Sequence, residues 1–312
     1  MIVIIYHLEL ILMNLRDLEY LIAIDEERHF HKAAERCFVS QPTLSGQLKK
    51  LEDELGVLLV ERNNRRVAMT EAGSAVVKRA RDILVGVKDI KDIASSFQDT
   101  MVGNLRLGVI PTIAPYLLPI IMPVIKKQFS ELKVWLYEYQ TQVLLDKLRN
   151  AELDVLILAF PIESHDFVEL DLFREPFRLA IEKDHMLSRR NSVTLGDIAA
   201  NEMMLLEEGH CLRGHVLDVC LLAGAREQKQ FQATSLETLR QMVAEGMGMT
   251  LIPELAVPSK LKRSDSIRYI EFSDPKPNRR IGMLYRQNSY REVVFQNIAK
   301  LVQSVLPVGI FY

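Results

Sequence analysis

Cys211 and Cys220 are two thiols separated by eight residues in a chain whose third cysteine is Cys37. Cys-x8-Cys matches neither a metal-ligand spacing nor a nucleophile signature, and the spacing alone describes two small core residues. Their surroundings add chemistry. Cys211 follows Glu208-Gly209-His210 at the expected start of a helix, where the helix dipole favours a thiolate, and His210 and Arg213 add positive or hydrogen-bonding character. Cys220 lies among Val219, Leu221 and Leu222, which predicts a buried, protonated thiol. If residues 211–220 are helical, the two Cα atoms stand about 13 Å apart at about 1.5 Å per residue, against roughly 5.5–6 Å for a disulfide. A bond between them then requires the segment to unwind, so oxidation would act as a conformational switch. Cys37, beside Ala33 and Ala34, reads as a packed core thiol.

A second constellation lies near the N-terminus. Between Arg28 and Lys50 there are five basic residues (Arg28, Lys32, Arg36, Lys49, Lys50) and one acid (Glu35), a local net of +4. Arg62, Arg65 and Arg66 form a second basic cluster, and Arg16 lies upstream. A duplex needs cations only where its phosphates lie, so local charge matters more than the total. A helix entering a major groove needs small or hydrogen-bonding residues at its N-terminal end, and Ser40, Gln41, Pro42, Thr43 and Ser45 supply them.

The elements that must position these groups follow from periodicity. Leu15, Leu18, Leu21 and Ile22 share one helical face; residues 32–37 form a short helix; Ser40 is an N-cap with Pro42 in the first turn, and that helix stops at Gly56. Residues 57–60 and 67–69 are expected as two short strands, a wing. Val76, Ala80, Ile83, Val87, Ile90, Ala94 and Phe97 step by alternating fours and threes, a heptad seam that predicts a homodimer. From residue 103 the pattern becomes strand, helix, strand, helix, strand, which predicts a parallel sheet. A second α/β round gives a two-lobed clamp closed by strand 281–285 and helix 291–306.

Composition bounds the class. The 312 residues include 39 Lys plus Arg and 41 Asp plus Glu, a net charge of −2, so a polybasic chain is excluded while a local basic patch is not. Three cysteines in so long a chain argue against a disulfide framework and for a reducing compartment. Residues 1–12 are almost all apolar but fall short of the roughly 20 needed to span a membrane. They lack a basic lead and a cleavage site, so Met13 is the expected start and the protein is expected in the cytoplasm, with no membrane partner. No His/Asp/Glu cluster has metal spacing and no Gly-rich phosphate loop occurs, so no metal or cofactor is expected.

Residues 14–73 resemble the winged helix-turn-helix of LysR-type transcriptional regulators. The resemblance rests on Asn14-Leu15-Arg16-Asp17-Leu18-Glu19-Tyr20-Leu21, Ala33-Ala34, Ser40-Gln41-Pro42-Thr43-Leu44-Ser45, Leu51-Glu52, Glu54-Leu55-Gly56, Glu61-Arg62 and Thr70-Glu71-Ala72-Gly73. It extends over residues 13–306. It implies an α/β fold class with an all-α winged helix-turn-helix domain (13–72), a long dimerisation helix (73–100) and a two-lobed, periplasmic-binding-protein-like effector domain (101–306). Lobe I would hold 101–174 and 279–306 and lobe II 175–278, with 1–12 extra and 307–312 a tail.

Within that family the chain is similar to peroxide-sensing members, through Gly108-Val109-Ile110-Pro111-Thr112, Pro115-Tyr116-Leu117-Leu118-Pro119, Gly209-His210-Cys211-Leu212-Arg213, Ala233-Thr234-Ser235-Leu236-Glu237-Thr238-Leu239-Arg240 and Leu255-Ala256-Val257-Pro258. The resemblance implies a non-enzymatic activator of oxidative-stress genes. Hydrogen peroxide would oxidise Cys211 to a sulfenic acid, and Cys220 would condense with it. Thr112, Thr141 and His210 would line the peroxide pocket, with Arg213 and Arg286 in support. Implied partners are double-stranded DNA sites of two-fold symmetry, a homodimer or homotetramer, and RNA polymerase. One departure is Gly214-His215, where related sensors often carry an acid. Two competing readings are a metabolite-responsive regulator with inert cysteines and a thiol peroxidase; the latter leaves the DNA module unexplained.

Overall fold

The computed structural model describes residues 13–63, 66–96, 101–162, 166–258 and 265–306. The expectations for residues 1–12, Arg65, Phe97 and 307–312 lie outside the described residues. The chain divides into two units, residues 1–94 and 95–312.

In the first unit Asn14 opens α1 (Leu15–Glu27) with a capping box: its side chain accepts from the Asp17 amide, and the Asp17 carboxylate accepts from the Asn14 amide. After α2 (Phe30–Arg36), Ser40 caps α3 (Gln41–Leu55), which has Pro42 in its first turn and ends at Gly56 with φ 68°. Strands β1 (Val60–Asn63) and β2 (Arg66–Met69) pair antiparallel as the wing. α4 (Glu71–Ser96) follows. Leu21, Ile24, Ala33, Ala34, Leu44, Leu48 and Leu51 form the core between these elements.

The heptad seam divides. Val77 and Ala80 are buried and Val76 packs on the same core, so the first turns of α4 serve their own unit rather than a partner. Ile83 and Ile90 are exposed and Val87 is half-buried, so the part of the seam open to a second helix begins at Ile83.

The second unit starts with β3 (Gly103–Val109), α5 (Ala114–Gln128), β4 (Leu132–Glu138), α6 (Thr141–Arg149) and β5 (Val155–Phe160). β3 pairs parallel with both β4 and β5. The chain then enters β6 (Phe167–Glu182) and passes β7 (Ser192–Val193), β8 (Glu202–Leu206), α7 (Cys211–Ala223), β9 (Arg226–Ala233), α8 (Leu236–Ala244), β10 (Thr250–Pro253) and β11 (Ile267–Phe272). It returns through β12 (Asn278–Arg286) to α9 (Glu292–Val305).

β6 is long, 16 residues, and serves both lobes. Its first half, ending at Pro176, pairs antiparallel with β12; its second half, from Phe177, pairs with β10 and β11. β12 runs antiparallel to β5, so the expected parallel sheet is mixed, because β12 re-enters the first lobe from the second. β8 and β9 form a separate parallel pair. Two cores result. One lies around β3, β5, β12, α5 and α9, the other around β6's second half, β8, α7 and α8. The two crossing strands, β6 and β12, join the lobes side by side.

Candidate functional site

α7 begins at Cys211, so both cysteines lie on one wound helix. Leu212, Val216, Val219 and Cys220 form its buried face, inside the second lobe's core. Cys211 points elsewhere: it is half-buried and packs against the first lobe's core. The helix therefore carries one thiol to each lobe. All three cysteines are free. The loop before α7 needs a glycine: Gly209 has φ 94°, and a Cβ there would stand 2.6 Å from Oε1 of Gln140, which precedes α6 in the first lobe.

Burial pushes the Cys211 thiol up. The Arg279 charge, the Thr141 hydroxyl and the backbone at Leu212 and Ala159 pull it down without reversing the shift. Burial is the larger cause at this thiol, and it opposes the lowering expected of a helix start.

Arg279, absent from the sequence reading, is the cation that acts on this thiol. It is fully buried on β12 and is the register partner of the equally buried Glu175 on β6. Its Nε donates to Glu175 Oε2 at 2.8 Å, and its two terminal nitrogens donate to Thr112 Oγ1 at 2.9 Å and to the Thr112 carbonyl at 3.1 Å. Glu175 also accepts from the Leu255 amide at 2.9 Å. One ion pair at the strand crossing thus holds Thr112 of the first lobe and Leu255 of the second.

Of the expected support residues, Thr112 is buried and Thr141 lies against the thiol at the start of α6. His210 is buried, with Nε2 3.9 Å from Glu207. Arg213 and Arg286 are turned to other partners. Arg213 pairs with Glu227 at 2.7 and 2.9 Å and donates to the Leu206 carbonyl, while Arg286 donates to the carbonyls of Leu148 and Leu153. His215, one turn after Cys211, places Nε2 3.0 Å from the Phe160 carbonyl, and burial holds its pKa below the ordinary value.

Cys220 is pushed from an ordinary value of 9.0 to about 11, by burial first and by the Glu227 carboxylate second. Below about pH 9 both states keep the proton; from about 9 to about 11 the unfolded chain loses it and the folded chain does not, so stability falls. Two units are worth about 2.7 kcal/mol. Denaturation followed across this range should show wild type losing up to about 2–3 kcal/mol more than Cys220→Ala; equal losses would show that the thiol stays accessible.

In the first unit Ser40 Oγ lies 2.7 Å from Thr43 Oγ1 and accepts from the Thr43 amide, while Gln41, Pro42, Lys49 and Arg16 are exposed and Ser45 is half-buried. Arg62 and Arg66 sit on the facing strands of the wing. Arg28 pairs with Asp25 and Arg36 with Glu26 and Glu27, so the local +4 overstates the charge available to phosphates. Phe38, missed from sequence, is 95% exposed at φ 56° just before the α3 cap. Cys37 is half-buried, and burial raises its pKa. Among the described residues no group of His, Cys, Asp and Glu could hold a metal, and no helix is long and apolar enough to cross a membrane.

Comparison with known proteins places this geometry. The chain is 49% identical over 292 residues to the Escherichia coli K12 DNA-binding transcriptional dual regulator OxyR, covering 94% of this chain and 95% of that protein. It is 48% identical over 291 residues to the hydrogen peroxide-inducible genes activator of Pectobacterium carotovorum, covering 93% and 96%. A solved full-length OxyR from Pseudomonas aeruginosa, bearing a cysteine-to-aspartate substitution, matches with a TM-score of 0.72 at 35% identity over 93% of this chain and 95% of that one. Residues 15–74 match the bacterial regulatory helix-turn-helix model of the lysR family, and residues 98–307 match the LysR substrate binding domain. The chain belongs to the LysR family of transcription regulators.

Proposed function

We propose that the chain is a DNA-binding activator of oxidative-stress genes, switched by hydrogen peroxide through Cys211 and Cys220. The supporting observation is that α7 carries a half-buried thiol at its start, against one lobe, and a buried thiol nine residues further along it, inside the other. Wound, the helix holds them about 13 Å apart, so the disulfide and the helix exclude each other. In the first step the deprotonated Cys211 sulfur attacks one peroxide oxygen, the O–O bond breaks, and the departing hydroxide takes a proton to leave as water. In the second the Cys220 sulfur displaces the hydroxyl from the Cys211 sulfenic acid, forming the S–S bond and releasing a second water. Thr112, Thr141 and His210 orient the peroxide, and Arg279 steadies negative charge on sulfur. Arg213 and Arg286 act through structure. Residues 13–72 read DNA through the start of α3 and the wing, Ile83 onward pairs two copies, and tetramers and RNA polymerase contact follow at promoters. The compartment is the cytoplasm.

A second reading, a metabolite-responsive regulator with inert cysteines, draws support from the upward shift of the Cys211 pKa. Thiol mapping separates the two. Dilute peroxide should convert the full chain to a form with one Cys211–Cys220 disulfide by peptide mass, with Cys37 free, and should change its promoter footprint. Thiols that stay free while a metabolite changes the footprint would establish the second reading instead.

A further inference from the structure

The segment that must unwind, residues 211–220, is fastened by a contact that the two-cysteine chemistry does not use. Arg213, two residues after Cys211, forms a two-pronged pair with Glu227, at 2.7 and 2.9 Å, and also donates to the Leu206 carbonyl at 3.2 Å. Glu227 lies outside the segment, on β9, and is held in register opposite Met203 of β8. Both side chains are largely shielded, at 13% and 17% exposure, so solvent screens the pair poorly. The charge of the same carboxylate also acts on the Cys220 thiol, raising its pKa. Lys229 and Gln232 steady its charge, and Glu208 adds to the field on Arg213. Glu227 thus bonds to Arg213 near one end of the switch and acts through its charge on the thiol at the other.

Resting on the redox reading above, we propose that Glu227 is a positioning residue of the switch: through Arg213 it clasps the first turns of α7 to β9 in the reduced chain, and this clasp opens before Cys220 condenses with the Cys211 sulfenic acid. The condensation itself balances within the chain, since the S–O bond of Cys211 breaks, the S–S bond forms, and the hydroxyl leaves with the Cys220 proton as water. The clasp sets how far the dithiol is favoured over the disulfide and how long the sulfenic acid waits, not how fast peroxide reacts with Cys211.

The test compares the full-length wild type, Glu227→Gln, Arg213→Met and the double variant. Each is equilibrated in glutathione buffers, and the Cys211–Cys220 peptides are scored by alkylation and mass. A charge-assisted pair of this kind should shift the dithiol–disulfide constant about ten-fold toward the disulfide in each single variant, a midpoint about 30 mV more negative. The double variant should move no further than the singles, because both remove one interaction. Trapping with dimedone after a peroxide pulse should show a shorter-lived sulfenic acid formed at the wild-type rate. Glu227→Gln is near-isosteric and leaves Arg213 its Leu206 bond, so it carries the test if Arg213→Met does not fold. Wild-type midpoints in the single variants, or additive shifts in the double, would sink the clasp while leaving the redox reading intact. A wild type that forms no disulfide would overturn the redox reading itself.

Discussion

Replacing Arg279 by methionine is expected to lower stability by about 3–5 kcal/mol and to slow oxidation of Cys211 at neutral pH. The two effects have separate causes. Stability falls because Glu175, fully buried, loses its cation and keeps the Leu255 amide as a donor, and because Thr112 loses both of its guanidinium contacts. An isolated buried carboxylate costs far more than the pair it came from. Oxidation slows because Arg279 is the charge that offsets burial at the sulfur; without it the thiol pKa rises further, and less thiolate is present at pH 7. The rate of sulfenic acid formation should therefore recover as pH increases. A double variant, Arg279→Met with Glu175→Leu, should regain much of the stability but none of the rate. Denaturant midpoints at constant slope measure the first effect, and stopped-flow peroxide kinetics against pH measure the second. A pH profile unmoved by Arg279→Met would show that its charge does not reach the thiol.

This residue marks where the sequence stops being legible. α3 could be read because its signals are local: Ser40 caps, Pro42 fits the first turn, and Gly56 takes the positive φ that ends it. α7 could be read as a helix from Cys211, and with it the separation of the two thiols. Arg279 could not be read, because its partner lies 104 residues away and only the pairing of β12 with β6 brings the two together. The same limit hides the neutralisation of Arg28 and Arg36. Counting charge along residues 28–50 omits Asp25, Glu26 and Glu27 on α1, which fold back onto them. The first half of β6 escaped because its buried and exposed positions mix polar and apolar residues, and β11 because each of its faces carries a charge, Arg268 on one and Glu271 on the other. Arg213 shows the opposite error: proximity in sequence to Cys211 suggested a donor to the thiol, but two residues' turn along the helix aims it at Glu227.

The largest effect belongs to Cys211 itself. Cys211→Ser should abolish both the disulfide and the transcriptional response to peroxide, while leaving the fold and DNA affinity close to wild type. A hydroxyl is not oxidised by dilute peroxide, so the first rung of the ladder is missing and Cys220 has nothing to attack. The fold should persist because serine nearly matches cysteine in volume and the site already offers polar neighbours: the Thr141 hydroxyl and the backbone at Leu212 and Ala159. Substitution at Cys220 should behave differently. There the neighbours are apolar and the side chain is buried, so serine would strand a hydroxyl at a cost of about 1–3 kcal/mol, and alanine is the cleaner replacement. In Cys220→Ala the Cys211 sulfenic acid should form and persist long enough for dimedone to capture it, then proceed to sulfinic acid under excess peroxide. The two variants therefore divide the mechanism at the unwinding of α7. A reporter response that survives in Cys211→Ser would move the sensor elsewhere, to Cys37 or to the cleft between the lobes. A Cys220→Ala chain whose sulfenic acid never accumulates would show that Cys211 does not meet peroxide first.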